Sequence, residues 1–251
     1  MRYAWLALAV LLLGGMTAAQ QATQPAAAAD HLDGLLTRWE EAMNKVTSLT
    51  AYCTRTTDDK AFQTSETFVG TAKYLKPDKA KLEMVRKDKP DLQERYVYTG
   101  AFLYAFDQPS KEVRAYPVTA PKAGQSNEDN VLALVLGMKA EEAKRRYVLQ
   151  LDSPEKPYYY YINILPRLID DKREFTRAQL VLDKNTLLVR RLWFEAPNKN
   201  TVLWDMPKVE VNGAMNVREF DKPEPPPGWK VKVMPRQQEQ PQPRVIRPNG
   251  Q

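Results

Sequence analysis

Residues 70–85 read GTAKYLKPDKAKLEMV. Two short alternating stretches flank Lys76-Pro77-Asp78, and Pro77, which cannot donate to a sheet ladder, marks the turn of a hairpin. One side of the hairpin carries Ala72 and Tyr74, then Ala80, Leu82 and Met84, all apolar. Such a face either covers a core or lines a cavity for an oily guest. Each large side chain fully removed from water is worth about 1.5–3 kcal/mol in both cases, so energy alone does not separate them.

The pattern extends in both directions. Upstream, SLTAYCTRT (48–56) alternates with Leu49, Ala51 and Cys53 on one side, and TFVGTAKYL (67–75) follows it. Downstream, ERYVYTG and AFLYAFD are divided by the turn-type pair Thr99-Gly100, and EVRAYPV closes the series. Strands at spacings of about eight to twelve residues, with turn signals between them, indicate an antiparallel meander. Ahead of it, Leu32, Leu35, Leu36, Trp39, Met43 and Val46 recur every three or four positions and predict an amphipathic helix, capped by Asp30 or Asp33. In the middle, Ser126 and Asp129 have the form of a capping box before VLALVLG, apolar on every side, with Gly137 as a stop. AEEAKRR continues as a second short helix. Strands then resume in YVLQL, YYYYINILP, FTRAQLVLD, LLVRRLWFEA and TVLWDMPKVEV, with Asp183-Lys184-Asn185 and Pro197–Asn200 as hairpin turns.

The ends read differently. One Arg, about a dozen mostly apolar residues (Leu6–Met16) and Thr17-Ala18-Ala19 form a secretory signal peptide too short to span a bilayer, cleaved near Ala19. Residues 20–30 are a Gln/Ala/Pro leader, expected to be flexible, and 31–233 form a single domain. Residues 234–251, rich in Pro, Gln and Arg, are expected to be a disordered tail. Cys53 is the only cysteine, so no internal disulfide forms, which suits a bacterial periplasm. The formal charge of +6 is interspersed, without the basic run that binds nucleic acid.

Catalytic and metal chemistry find few candidates. With one His and one Cys, no His/Cys zinc set can be assembled. His31, at the ragged start of the first helix, is a poor base for a Ser-His-Asp triad. Cys53, on an apolar strand face, reads as a buried, inert thiol. The acid pairs Asp58/Asp59, Glu141/Glu142 and Asp170/Asp171 are sequence neighbours that do not face a common point, and they are expected to be solvated. Tyr158–Tyr161 places two tyrosines on each face of a strand: a stacking platform, or a half-buried pleated surface. No Gly-rich phosphate loop appears. The expectation is a protein without cofactor, metal or enzymatic activity.

Four motifs in order resemble the outer-membrane lipoprotein carrier (LolA-like) superfamily over residues 31–233. LLTRWEEAMNKVTSLTAYCTRT is similar to the family's opening helix and first strand, and GTAKYLKPDKAKLEM to its G-x-[apolar]-x-x-[basic]-P segment. YTGAFLYAFD resembles its D-G-x-x-[LI]-[aromatic]-x-[aromatic] hairpin, with Thr99 for the usual Asp, and EFDKPEPPPGWKV its closing F-x-[apolar]-x-P-P-x-G strand. The chain also resembles a planctomycete-type group of secreted domains of unknown function with this architecture.

The resemblance implies a mainly β (α+β) fold: a strongly curved antiparallel sheet, an incomplete barrel, wrapped around an N-terminal helix and short lid helices. It also implies a cavity lined by Trp39, Met43, Tyr74, Leu82, Met84, Phe102, Tyr104 and Phe106, with Val131, Leu132, Leu134 and Val135 from the lid. Lys76 stands where the family has a latching Arg; Lys offers a single ammonium in place of a planar fork, so the exchange is not neutral. The function implied is a periplasmic, monomeric carrier for lipoprotein acyl chains or another lipid-like ligand, with an outer-membrane or envelope partner and no nucleic acid. The alternative is the same fold without a guest, serving as a cell-envelope interaction or scaffold domain.

Overall fold

The computed structural model of the protein describes residues 24–118, 139–152 and 158–235, with side chains from residue 31 onward. Helix α1 (Gln24–Asn44) leads into β1 (Ser48–Asp59), β2 (Thr64–Leu75), β3 (Lys79–Arg86), β4 (Gln93–Tyr98), β5 (Phe102–Asp107) and β6 (Glu112–Pro117). Later in the chain come α2 (Ala140–Arg146), β7 (Tyr147–Asp152), β8 (Tyr159–Pro166), α3 (Ile169–Glu174), β9 (Arg177–Asp183), β10 (Val189–Glu195) and β11 (Thr201–Val211). A 3-10 turn (Val217–Phe220) precedes β12 (Lys230–Val233).

The strands form one curved sheet of twelve in the order β12-β6-β5-β4-β3-β2-β1-β11-β10-β9-β8-β7, mainly antiparallel and not closed into a barrel. Only β12 runs parallel to its neighbour, Val231 lying beside Val113. Helix α1 begins at Gln24, upstream of the expected start, which places Asp30 and Asp33 inside the helix rather than at its cap. Ala26–Ala29 are strong helix formers and Pro25 is tolerated in a first turn, so the leader extends the helix. Helix α3, absent from the sequence reading, has Asp170 and Asp171 in its first turn and Lys172 and Arg173 in its last, complementing its dipole.

Register assigns the two faces. Cys53, Gly70 and Met84 lie side by side across β1–β3, as do Ala51, Ala72 and Leu82, and Leu49, Tyr74 and Ala80. This inner face packs on α1, whose whole predicted stripe from Leu32 to Val46 is buried. Strand β11 keeps Pro207 in mid-sheet because the β1–β11 register shifts between Tyr52 and Thr54, and a bulge needs no donor there.

The outer face is covered by the C-terminal segment. Val97, Tyr104, Val113 and Ala115 form a second buried cluster under Trp229, while Phe220 is fully buried and Glu219 pairs with Lys73. At the other end, Arg146 of α2 makes a buried ion pair with Asp171 of α3. This corrects the expectation of a solvated acid pair at 170–171, since Asp171 is only 3% exposed.

Gly70 fixes the curvature. A β-carbon there would meet the Glu83 carbonyl oxygen at 1.9 Å and Met84 Cα at 2.8 Å, so the β3 backbone folds in over it. Gly70→Ala must push two paired strands apart. It is expected to lower stability by about 3 kcal/mol, read as a shifted urea midpoint. An unchanged midpoint would show that the close approach does not constrain the sheet.

Candidate functional site

The candidate site is the trough between α1 and the inner sheet face. Trp39, Met43 and Met84 are buried in one cluster, with Tyr74 and Leu82 half-buried against it, so these five expected residues come together. Directly beneath the helix end the fit is tight: the space lined by Met43, Leu49, Ala51, Leu188, Val189, Met206 and Val209 amounts to about 10 Å³. That is about the room of one water, and the apolar side chains around it offer no partner. Val131, Leu132, Leu134 and Val135, and the lid helix expected there, lie outside the described residues.

Phe102, Tyr104 and Phe106 are placed elsewhere, which corrects the expectation that they face α1 together with Tyr74 and Leu82. Leu82 pairs with Tyr96, Tyr96 with Ala105 and Ala105 with Arg114, so the inner face continues through Leu103 and Ala105. The three aromatics point the other way, into the outer cluster, where Phe106 lies 6.0 Å from Trp229 and the Arg95 guanidinium 4.6 Å over the Phe106 ring.

Lys76 is engaged rather than free. Its Nζ donates to the carbonyl oxygens of Met43 at 3.2 Å and Asn44 at 3.0 Å, the last of α1, where the Met43 oxygen also accepts from the Val46 N–H. A cation there also complements the helix dipole. Beside it, Tyr74 Oη donates to the Pro77 carbonyl, and burial, reinforced by Asp78, holds the phenol above its ordinary pKa. The hairpin at residues 70–85 thus ties the end of the helix to the sheet.

Beyond α1 the inner face carries residues that the sequence reading does not single out. Arg55 lies with its guanidinium 4.7 Å from the Phe68 ring and 5.5 Å from the Trp204 ring, and donates a fork to Glu94 at 2.7 and 2.8 Å. Next to it, Tyr96 is 38% exposed, and Tyr98, Leu103 and Tyr116 are half-buried. Burial, with the charge of Glu94, raises the Tyr96 phenol above its usual range. Alternation marks such residues as facing in, but only the β3–β4–β5 register says which phase does so.

Two buried donors in this region have no acceptor among the described residues: Trp39 Nε1 and Arg55 Nε. A buried polar group left unpaired costs on the order of 1–3 kcal/mol.

The remaining candidates do not converge on the trough as a reactive set. Cys53 is buried, its thiol pushed up to about 11 chiefly by that burial. His31 is exposed and edge-on to Tyr160 at 6.3 Å. Of the four tyrosines, Tyr158 is exposed and Tyr159, Tyr160 and Tyr161 are half-buried, with Tyr160 against the inner cluster. Asp58 binds Ser65 and Thr201, Glu141 pairs with Lys144, and Glu142 with Arg145.

These elements define an open curved sheet wrapped on helices, the architecture expected from the sequence. An uncharacterized conserved protein from Thermus thermophilus is similar over 81% of this chain and 99% of its own, at 11% identity and a TM-score of 0.50. A LolA superfamily protein from Nitrosomonas europaea matches 75% of this chain and 96% of its own, at 8% identity and a TM-score of 0.39. The lipoprotein LppX of Mycobacterium tuberculosis matches 73% and 98%, at 14% identity and a TM-score of 0.38. At 11% identity the likeness to the Thermus protein is one of fold alone. No family model and no curated protein matches the sequence.

Lys76→Met keeps the length of the side chain and removes both hydrogen bonds to α1. A loss of about 1 kcal/mol is expected in urea unfolding. A neutral result would mean that the ammonium is solvated and does not hold the helix.

Proposed function

We propose that the chain is an exported, periplasmic binding protein that carries a lipid-like ligand, such as the acyl chains of a lipoprotein, in the trough between the curved sheet and its helices. One observation supports this above the others: the inner face stays rich in aromatic and aliphatic side chains past the part that α1 covers. Tyr96, Leu103 and Tyr116 belong to neither buried cluster among the described residues, and they line the same face as Leu82 and Met84. Burying such surface under an alkyl chain is favourable by about 25 cal/mol per Å². In this reading residues 31–233 are the lipid-binding domain, the signal peptide ends near Ala19, and an outer-membrane or envelope partner receives the ligand.

Purified mature protein is expected to release co-purified lipids detectable by mass spectrometry, and to bind a fluorescent fatty acid that unlabelled acid displaces. Binding of neither would end the carrier reading.

The filled space under the α1 end favours a second reading, in which the fold is an envelope interaction domain without a guest. The basic segment 234–251 would then dock on an acidic partner. Its removal is expected to abolish partner pull-down with the fold intact; undiminished pull-down would count against it.

A further inference from the structure

We propose that the ligand is an amphiphile that brings an acceptor oxygen, the carbonyl of an acyl ester or acid, into the trough, and that the Trp39 indole N–H donates to it. This rests on the carrier reading and adds to it the chemical class of the guest.

Trp39 is 2% exposed, among the largest fully buried side chains, and its Nε1 has no hydrogen-bond partner among the described residues. A buried tryptophan N–H usually finds one. Its surroundings are apolar: Trp39 belongs to the cluster of Leu35, Leu36, Met43, Met84 and Met206. For packing alone, a phenylalanine at this helix position would fill much of the space with no polar cost. Across the trough, Arg55 adds a second unpartnered donor, its Nε, between Phe68 and Trp204, which pack in the same cluster as Trp39. Both unpaired groups on this face are donors, as is Arg95 Nε on the outer face, so the complement missing at Trp39 is an acceptor. A plain hydrocarbon leaves the indole N–H unpaired. An ester oxygen seated beside α1 pairs it, and a site with a buried unpaired group discriminates strongly against analogues that lack the matching atom.

The test uses the mature full-length chain and displacement of 1-anilinonaphthalene-8-sulfonate by methyl decanoate or by 1-chlorodecane, which is of similar size without a carbonyl. The native protein is expected to prefer the ester about tenfold, the worth of one hydrogen bond to a buried donor. Trp39→Phe is expected to bring the two affinities together by weakening the ester alone. An ester preference that survives in Trp39→Phe overturns the proposal and leaves the carrier reading standing. Failure of both compounds to bind the native chain overturns the carrier reading itself. Should the variant fold poorly, the indole N–H resonance of Trp39 in the native protein decides: it shifts downfield with the ester and not with the chloride. Equal shifts, or none, sink the assignment.

Discussion

The sheet can curl around α1 because β3 lies against Gly70 closely enough to leave no room for a side chain. In a flat sheet, paired residues keep their β-carbons clear of the neighbouring backbone. Here the Glu83 carbonyl occupies that place. The bend brings Met84 over Cys53 and Leu82 over Ala51, small residues that leave the space the larger ones fill. At the far end of the same hairpin, Lys76 reaches the last carbonyls of α1. One segment of sixteen residues therefore sets both the curvature and the position of the helix inside it.

A sheet this curved presents two faces with different problems. The inner one is covered by α1 across β1–β3 and β7–β11, where the side chains share one buried cluster. The outer one would expose Val97, Tyr104 and Val113 if the chain ended at β11. Instead, residues after β11 cross it, bury Phe220, set Trp229 on the aromatics and add β12 beside β6. Lysines 73 and 79 on β2 and β3 meet Glu219 and Asp221 of that crossing segment, which fixes its path as charge partners rather than as apolar filler.

How much of this is legible in the sequence follows from which signals are local. The helical stripe from Leu32 to Val46 and the alternation in residues 48–86 each carry one phase, so periodicity alone sorts buried from exposed. FLYAFD does not: Phe102, Tyr104 and Phe106 are apolar, and so are Leu103 and Ala105 on the other phase. The larger set belongs to the outer face. Only pairing through Tyr96 resolves it, and a pairing register is a non-local fact. The parallel strand β12 is hidden for the same reason. Asp171 has the look of an ordinary surface acid because its partner, Arg146, lies far along the chain in another helix. The start of α1 is masked by a Gln/Ala/Pro composition that suits a linker, although alanine is the best helix former.

The interior beneath α1 is closed by aliphatic and aromatic groups together, Trp39, Tyr147 and Phe175 among them, whereas the wing beyond it carries partly exposed tyrosines beside a stacked arginine. Arg55 is costly to bury and is held by two rings and a carboxylate. Tyrosines keep an apolar ring and a polar tip at the same place, which suits a surface that is wet at one time and covered at another. Along one continuous face the side chains therefore pass from fully buried to partly exposed. One part holds the fold together; the other keeps aromatic rings and polar tips partly exposed.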